Sequence, residues 1–237
     1  MYTEIIVLIA VLGAGVIGSV VFRKLTLPAA AAGAAIAGGI FAGAGWTGIL
    51  IMGSFFVLAV LATSWKQELK QSLGVGEKIK GLRTTSQVAA NGLVAGLLGL
   101  MAFWMEEYRP LFQLMIAGSF SSATADTISS ELGTVYGKKF YNIVSFRNDE
   151  RGENGVVSIE GLIFGIIGSS IIAALYVAGM GWSIHFFLII VAGTLGNLTD
   201  SILGAALERK SLIGNNAVNF LNTVVGALAA MFLYLLV

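Results

Sequence analysis

Apolar stretches of about twenty residues recur from one end of this chain to the other, and that recurrence limits what it can fold into. They lie at residues 3–22, 27–43, 46–63, 86–104, 110–132, 156–179, 183–206 and 216–237. A hydrocarbon core offers the backbone no hydrogen-bond partners, so segments this long and this apolar are expected to close their own bonds as α-helices. The chain is 57% apolar and 11% charged, more grease than a soluble domain of 237 residues needs for its core, which leaves the bilayer as its solvent. The expected fold is all-α: one polytopic transmembrane domain, 1–237, with about eight helices. The second and third spans are parted only by a Gly and Trp break around Trp46, so one could be re-entrant and the count seven.

The small residues in "PAAAAGAAIAGGIFAGAG" and a total of 31 glycines suit close helix packing. No cysteine is present, which excludes disulfides and thiolate metal sites, and a single His185 argues against a histidine-rich metal centre or a His-based triad. The opening "MYTEIIVLIAVLGAGVIGSVVFRK" has its basic residues after the apolar run, the reverse of a signal peptide, and is expected to be a retained first helix.

If eight spans alternate, the loops after the first, third, fifth and seventh share one side. They carry Arg23, Lys24, Lys66, Lys70, Lys78, Lys80, Arg83, Lys138, Lys139, Arg147, Arg151, Arg209 and Lys210, which are 13 of the 14 basic residues. Only Arg109 falls on the other side. The positive-inside rule then predicts a cytoplasmic membrane protein with these loops inside and both termini outside.

Polar residues within the spans gather toward that same side. Asp126 and Glu131 sit late in span five, Asn197 and Asp200 late in span seven, Gln87 and Asn91 early in span four, Glu160 early in span six, and Asn219 and Asn222 early in span eight. A carboxylate in a membrane helix costs several kcal/mol unless it meets water, a partner or a metal, so such residues point to function. Helix-end residues reaching headgroup water would account for any one of them, but less well for the whole set. Ser122, Asp126, Ser129 and Ser130 share one helical stripe, as do Asn197 and Asp200, and Asn215, Asn219 and Asn222. Glu131 lies about 140° around the helix from Asp126, so both reach one site only if the helix ends near Gly133 or if Glu131 serves the loop.

The chain also repeats itself. "VAANGLVAGLLG" (88–99) and "VSIEGLIFGIIG" (157–168) share a pattern, and each is followed one span later by "ADTIS" (125–129) or "TDSIL" (199–203). Two tandem helix pairs, 86–132 and 156–206, are therefore expected to present an Asp and hydroxyl motif at a common interface, flanked by spans within 1–63 and by 216–237.

Oxygen ligands beneath a basic canopy suit phosphoryl transfer. Magnesium takes one or two carboxylates, waters and phosphate oxygens, and Lys and Arg clamp phosphates. Asp126 and Asp200 are the metal candidates. Lys66, Lys70, Arg83, Lys138, Lys139, Arg147 and Arg151 are available for phosphate, although setting topology or meeting lipid headgroups would also account for each. "GTVYGKK" misses the Walker spacing and has Lys139 where Ser or Thr is required, so any nucleotide site is of another kind.

The segments "DTISSELGTVYGKKFYNIVSF", "RGENGVVSIEGLIFGIIGS", "GNLTDSILGAALERK" and "NNAVNFLNTVVGALAA" resemble the integral-membrane phytyl-phosphate kinase family of tocopherol biosynthesis, which also includes transmembrane protein 19 of animals. The resemblance covers roughly residues 60–237, the earlier spans matching only as apolar helices. It departs at Leu162, where the family usually has Thr, and at Ile128, where Trp or Val is usual. It implies a magnesium-dependent transfer of phosphate from a nucleoside triphosphate, whether CTP, GTP or ATP, to a prenyl monophosphate such as phytyl or geranylgeranyl phosphate. On that reading Asp126 and Asp200 bind magnesium, and Ser130 and Glu131 order the metal shell or the loop. Asn91, Asn197, Asn219, Asn222 and Glu160 line the site, and Lys66, Arg83, Lys138, Lys139, Arg147 and Arg151 bind phosphates. The expected partners are the prenyl phosphate, the nucleotide and the lipid bilayer, with no nucleic acid.

Two other readings fit parts of the pattern. A kinase of the free prenol would need a base such as Glu160, whereas a monophosphate is already an oxyanion. An ion or anion transporter would also use a repeat interface and intramembrane carboxylates, but the polar set crowds one leaflet and offers no second gate.

Overall fold

The computed structural model describes residues 2–75 and 82–237; Lys78 and Lys80 of the expected basic loops lie outside the described residues. Helix α1 (Tyr2–Val21) leads into α2 (Leu27–Ser64), and a short α3 (Gln67–Ser72) follows. Next come α4 (Thr85–Trp104), α5 (Arg109–Tyr136), α6 (Ile159–Met180), α7 (His185–Leu203) and α8 (Asn215–Leu235). A two-residue antiparallel ladder, β1 (Tyr141–Asn142) with β2 (Val156–Val157), lies between α5 and α6. The fold is thus all-α and polytopic, and among the described residues six helices are long and apolar enough to cross a membrane.

At 38 residues α2 is too long for one crossing, about 57 Å against a core of about 30 Å. It breaks at Gly45, where φ is 56° and ψ is −148°, a conformation open to glycine and closed to most side chains. The break falls one residue before Trp46, and the two arms double back on each other: Phe56 of the second packs against the cluster of Leu25, Ala29 and Ala30 at the start of the first, and both arms line one groove. The eight apolar runs of the sequence fall on α1, the two arms of α2, α4, α5, α6, α7 and α8. Gln113 of α5 donates to the Gly43 carbonyl at 2.8 Å, satisfying a backbone oxygen beside the break.

Helix α5 is 28 residues long and runs through the middle of the bundle, against both arms of α2 and against α4, α6, α7 and α8. It does not face lipid, so it tolerates a buried run from Leu114 to Ala125 that includes Ser119, Ser121, Ser122 and Thr124. Ser121 donates across to the Ile189 carbonyl at 3.0 Å and Thr124 along its own helix to the Phe120 carbonyl at 2.6 Å, while the buried Ser119 hydroxyl finds no partner among the described residues. Small residues set how closely the neighbours approach. A methyl on Gly133 would stand 2.9 Å from Gly161 Cα, and one on Gly118 would stand 2.6 Å from the Gly226 carbonyl oxygen.

The sequence reading allowed α5 to end at Gly133. It runs on to Tyr136, because Gly133 is spent on the close approach to α6 and keeps helical geometry. The described residues of all four basic loops share one end of the bundle. Arg109 sits at the other, paired with Glu106 at 2.9 Å.

Candidate active site

The repeated Asp motifs meet at the basic end. Asp126 on α5 and Asp200 on α7 bring their carboxyls within hydrogen-bonding contact, and Glu131 and Glu208 lie near enough to act on Asp126 electrostatically. Among the described residues neither Asp takes part in an ion pair. Asn222 on α8 fixes one of them: its Nδ2 donates to Asp200 Oδ2 at 3.2 Å, and its Oδ1 accepts from Ser122 on α5. Ser122 also donates to the Asn222 backbone carbonyl at 3.1 Å. Three helices are thereby cross-linked into a fixed carboxylate pair. Asn197, buried one turn before Asp200, nests its amide over Gly165, where a methyl would stand 2.7 Å from Nδ2.

These groups border two cavities. The first, about 260 Å³, is polar, and its wall includes Asp126, Ser129, Ser130, Glu131, Asn197, Asp200, Ser201, Glu208 and Asn215. Its roof is the loop between α5 and α6, with Phe140 and the backbone of Gly152 through Val157 over the opening. Arg209 holds the roof down with a two-pronged contact to Asp149 at 2.5 and 3.1 Å, and Asn142 adds a bond to Asp149 at 3.2 Å. The guanidinium keeps the Asp149 carboxyl well below the usual carboxylate range, and the pairing raises Arg209 in turn. Gly155, at φ 77°, sits tightly on Ala205 where α7 widens into a π-helical turn over Gly204–Glu208.

The second cavity, about 780 Å³, is a groove between α1, both arms of α2 and the start of α4. Below its mouth the lining is aliphatic and aromatic, from Val11 and Val16 to Met52, Phe56 and Val88. At the mouth stand Arg23, Lys24 and Arg83, gathered because the turn after α1 pairs with the segment before α4. Arg83 N–H donates to the Lys24 carbonyl at 3.0 Å, and Thr26 N–H to the Arg83 carbonyl at 3.2 Å. Arg23 takes a left-handed φ of 52° to make this turn. Asp126, Ser130 and Glu131 border both cavities, so the polar chamber and the apolar groove meet at the carboxylates.

The sequence-derived candidates divide accordingly. Asp126, Asp200, Ser130, Glu131, Asn197 and Asn222 come together, and Asn91, Asn219 and Arg83 line the groove. Glu131 accepts from the buried Lys70 at 2.6 Å, and Lys70 also donates to the Ala62 and Thr63 carbonyls at 3.0 and 2.9 Å. That lysine borders the polar chamber, but these three bonds engage its ammonium and fasten α3 to the end of α2. Glu160 lines neither cavity, and its carboxylate faces the Lys138 N–H at 3.4 Å. Lys138, Lys139 and Arg147 are exposed and outside both linings. Lys66 lies over the Tyr136 ring at 4.9 Å, while Arg151 stacks on Phe140 at 4.6 Å and donates to the Gly137 carbonyl at 3.2 Å. Arg23 and Lys24, which the sequence marked only as topology charges, also line the groove; their place directly after span one is the sequence feature that sets them there.

The donor set fits a magnesium ion. No three His, Asp or Glu side chains gather as a metal-binding group among the described residues. An ion at Asp126 and Asp200 would take two carboxylates and complete its shell from amide, hydroxyl, water and phosphate oxygens, as magnesium prefers. Two contacting carboxylates without a paired cation, held rigidly in a membrane helix bundle, are otherwise unfavourable.

Comparison with known proteins agrees with the architecture. The model of the integral membrane protein DUF92 family matches residues 7–227. The chain belongs to this family. It is 31% identical over 196 residues to Protein VTE6, chloroplastic, of Arabidopsis thaliana, covering 80% of this chain and 59% of that one. It is 34% identical over 199 residues to the uncharacterized membrane protein sll0875 of Synechocystis, covering 81% and 76% of the two chains. To the uncharacterized membrane protein MJ0933 of Methanocaldococcus jannaschii it is 32% identical over 191 residues, covering 80% and 77%. No solved structure matches. This DUF92 chain is thus an integral membrane protein of the family its motifs resemble, and it spans under two thirds of the length of the plant relative.

Proposed function

We propose that this DUF92 protein transfers the terminal phosphoryl group of a nucleoside triphosphate to a prenyl monophosphate, at the cytoplasmic face of the membrane. The observation that carries the reading is the junction itself: a polar chamber and an apolar groove with a basic mouth share Asp126, Ser130 and Glu131. A prenyl phosphate is amphipathic in the same sense, with a tail for the groove and a head for the junction. The triphosphate enters the polar chamber under the Gly152–Val157 roof.

Arg23, Lys24 and Arg83 at the mouth hold the acceptor phosphate, and Asn222 keeps Asp200 oriented toward the reacting groups. Magnesium bound by Asp126 and Asp200 would neutralise phosphate oxygens as charge shifts during transfer. An acceptor phosphate oxygen forms the new P–O bond to the γ-phosphorus. The bond from that phosphorus to the β,γ-bridging oxygen breaks, and the nucleoside diphosphate leaves with the electron pair. The acceptor is already ionised, so no base is needed, which suits a site in which Glu160 stands outside both cavities. A transporter would need a polar path to the far end, where Phe112, Leu114 and Ile116 of α5 are buried in the apolar core.

The test uses purified protein in detergent, labelled nucleoside triphosphate, magnesium, and phytyl or geranylgeranyl monophosphate beside the free alcohols. Label is expected in the prenyl diphosphate, with Asp126→Asn and Asp200→Asn each lowering the rate about a hundredfold or more. Label on the alcohol alone would replace the reading with a prenol kinase. No transfer from any nucleotide to any acceptor by folded protein would overturn it.

A further inference from the structure

We infer that the groove measures the tail of its lipid, with Gly33 and Gly53 as the residues that set the length it accepts. The inference rests on the proposed function for the occupant, a prenyl chain with a phosphate head, and adds which residues discriminate among such chains.

The groove has one charged end. Arg23, Lys24 and Arg83 stand at the mouth beside Asp126, and the walls below are apolar. Ser19, on the α1 wall, turns its hydroxyl back to the Val16 carbonyl at 2.9 Å and so presents no polar group to the tail. A phosphorylated lipid is therefore held head-up. The lining along α1 runs from Arg23 to Val11, about 18 Å at the helical rise, which is room for an extended chain of several isoprene units.

Gly33 and Gly53 face this space at two depths. Gly33 lies about 10 Å below Thr26 on the first arm of α2, and Gly53 about 16 Å below Ser64 on the second. A methyl on Gly33 would meet only Val88 Cγ1, itself a lining atom, at 3.8 Å, and one on Gly53 would meet nothing within 4 Å. Gly39, on the same helix, is different: a methyl there would stand 2.8 Å from the Gly96 carbonyl oxygen, so close packing on α4 requires that glycine. Helix packing requires no glycine at 33 or 53, where alanine would make the better helix. What those two positions preserve is open volume along the path of the tail.

The test compares Gly33→Leu and Gly53→Leu with wild type and with Gly13→Leu, a position on α1 that lines neither cavity and where a methyl meets nothing. Binding of geranyl, farnesyl, geranylgeranyl and phytyl monophosphates is measured by native mass spectrometry, and phosphoryl transfer to the same four is measured in parallel. Gly53→Leu is expected to weaken geranylgeranyl and phytyl phosphate about tenfold while farnesyl phosphate binds as before. Gly33→Leu is expected to weaken every acceptor longer than geranyl phosphate about tenfold, and Gly13→Leu to change nothing. Gly33→Ala and Gly53→Ala are expected to shift the same cut-offs by a smaller step, and they carry the test if a leucine variant fails to fold.

A uniform weakening across tail lengths, or an unchanged length profile, overturns the inference. Transfer with the wild-type profile in both variants overturns the length gauge and leaves the kinase reading standing. Length-dependent binding with no transfer from any nucleotide does the reverse, and no binding of any prenyl phosphate overturns both.

Discussion

Asn222 shows how much one side chain can fix. Its amide has a donor end and an acceptor end and uses them on Asp200 and Ser122, so replacing it strands the Asp200 carboxyl and leaves Ser122 only the backbone carbonyl of residue 222. Asn222→Leu is expected to lower stability by about 1–3 kcal/mol, the usual range for leaving buried polar groups unpaired, and to reduce phosphoryl transfer more than nucleotide binding. Thermal unfolding in detergent and initial rates check the two effects separately. At this scale Asp126 and Asp200 were legible from their depth in apolar spans and their shared motif. The place of Arg23 and Lys24 in the groove was not, because a basic residue that sets topology and one that lines a cavity look alike in sequence.

At the scale of elements, two fastenings frame the site. Lys70 ties α3 to carbonyls in the last turn of α2 and to Glu131, five residues beyond Asp126 on α5. Lys70→Met would leave Glu131 without its cation, and a loss of about 3 kcal/mol is expected, the lower edge of the range for breaking a buried pair. Lys70→Met with Glu131→Gln should melt nearer wild type than Lys70→Met alone. The second fastening is the roof. Asp149 titrates below its ordinary value because of Arg209, so the contact's stabilisation is complete above about pH 4 and is lost only as pH falls through the lowered folded value. Hydrogen exchange at the Ile143 and Val156 amides, corrected for intrinsic rate, should stay protected from neutral pH down to about pH 4. Arg209→Gln should lose that protection at neutral pH. Sequence periodicity could place α5 and α6 but not this loop, whose geometry depends on residues 60 positions apart.

The whole bundle depends on where its helices are allowed to touch. Gly118 faces the Gly226 carbonyl across the α5–α8 contact, and Gly118→Val is expected to prevent a folded, monodisperse protein in detergent. Gly13 meets nothing, and Gly13→Ala is expected to leave the melting temperature unchanged or raise it by the equivalent of about 0.5–1 kcal/mol. Both variants are glycines within apolar helices, and nothing in the local sequence separates them.

The sequence by itself determined that this chain is an all-α membrane protein, that eight crossings fit its apolar runs, and that its carboxylates gather at one end. These follow from hydrophobic length and from the energy of placing charge in hydrocarbon, both of which act through residues near one another in the chain. Tertiary structure alone decided that the α2 arms fold back at Gly45, that Lys70 and Arg209 are fasteners, and that Glu160 stands outside the cavities. It alone also set the two cavities against each other at Asp126. Such features depend on which helix faces meet at small residues, a property of pairs of distant segments that no single stretch of sequence encodes.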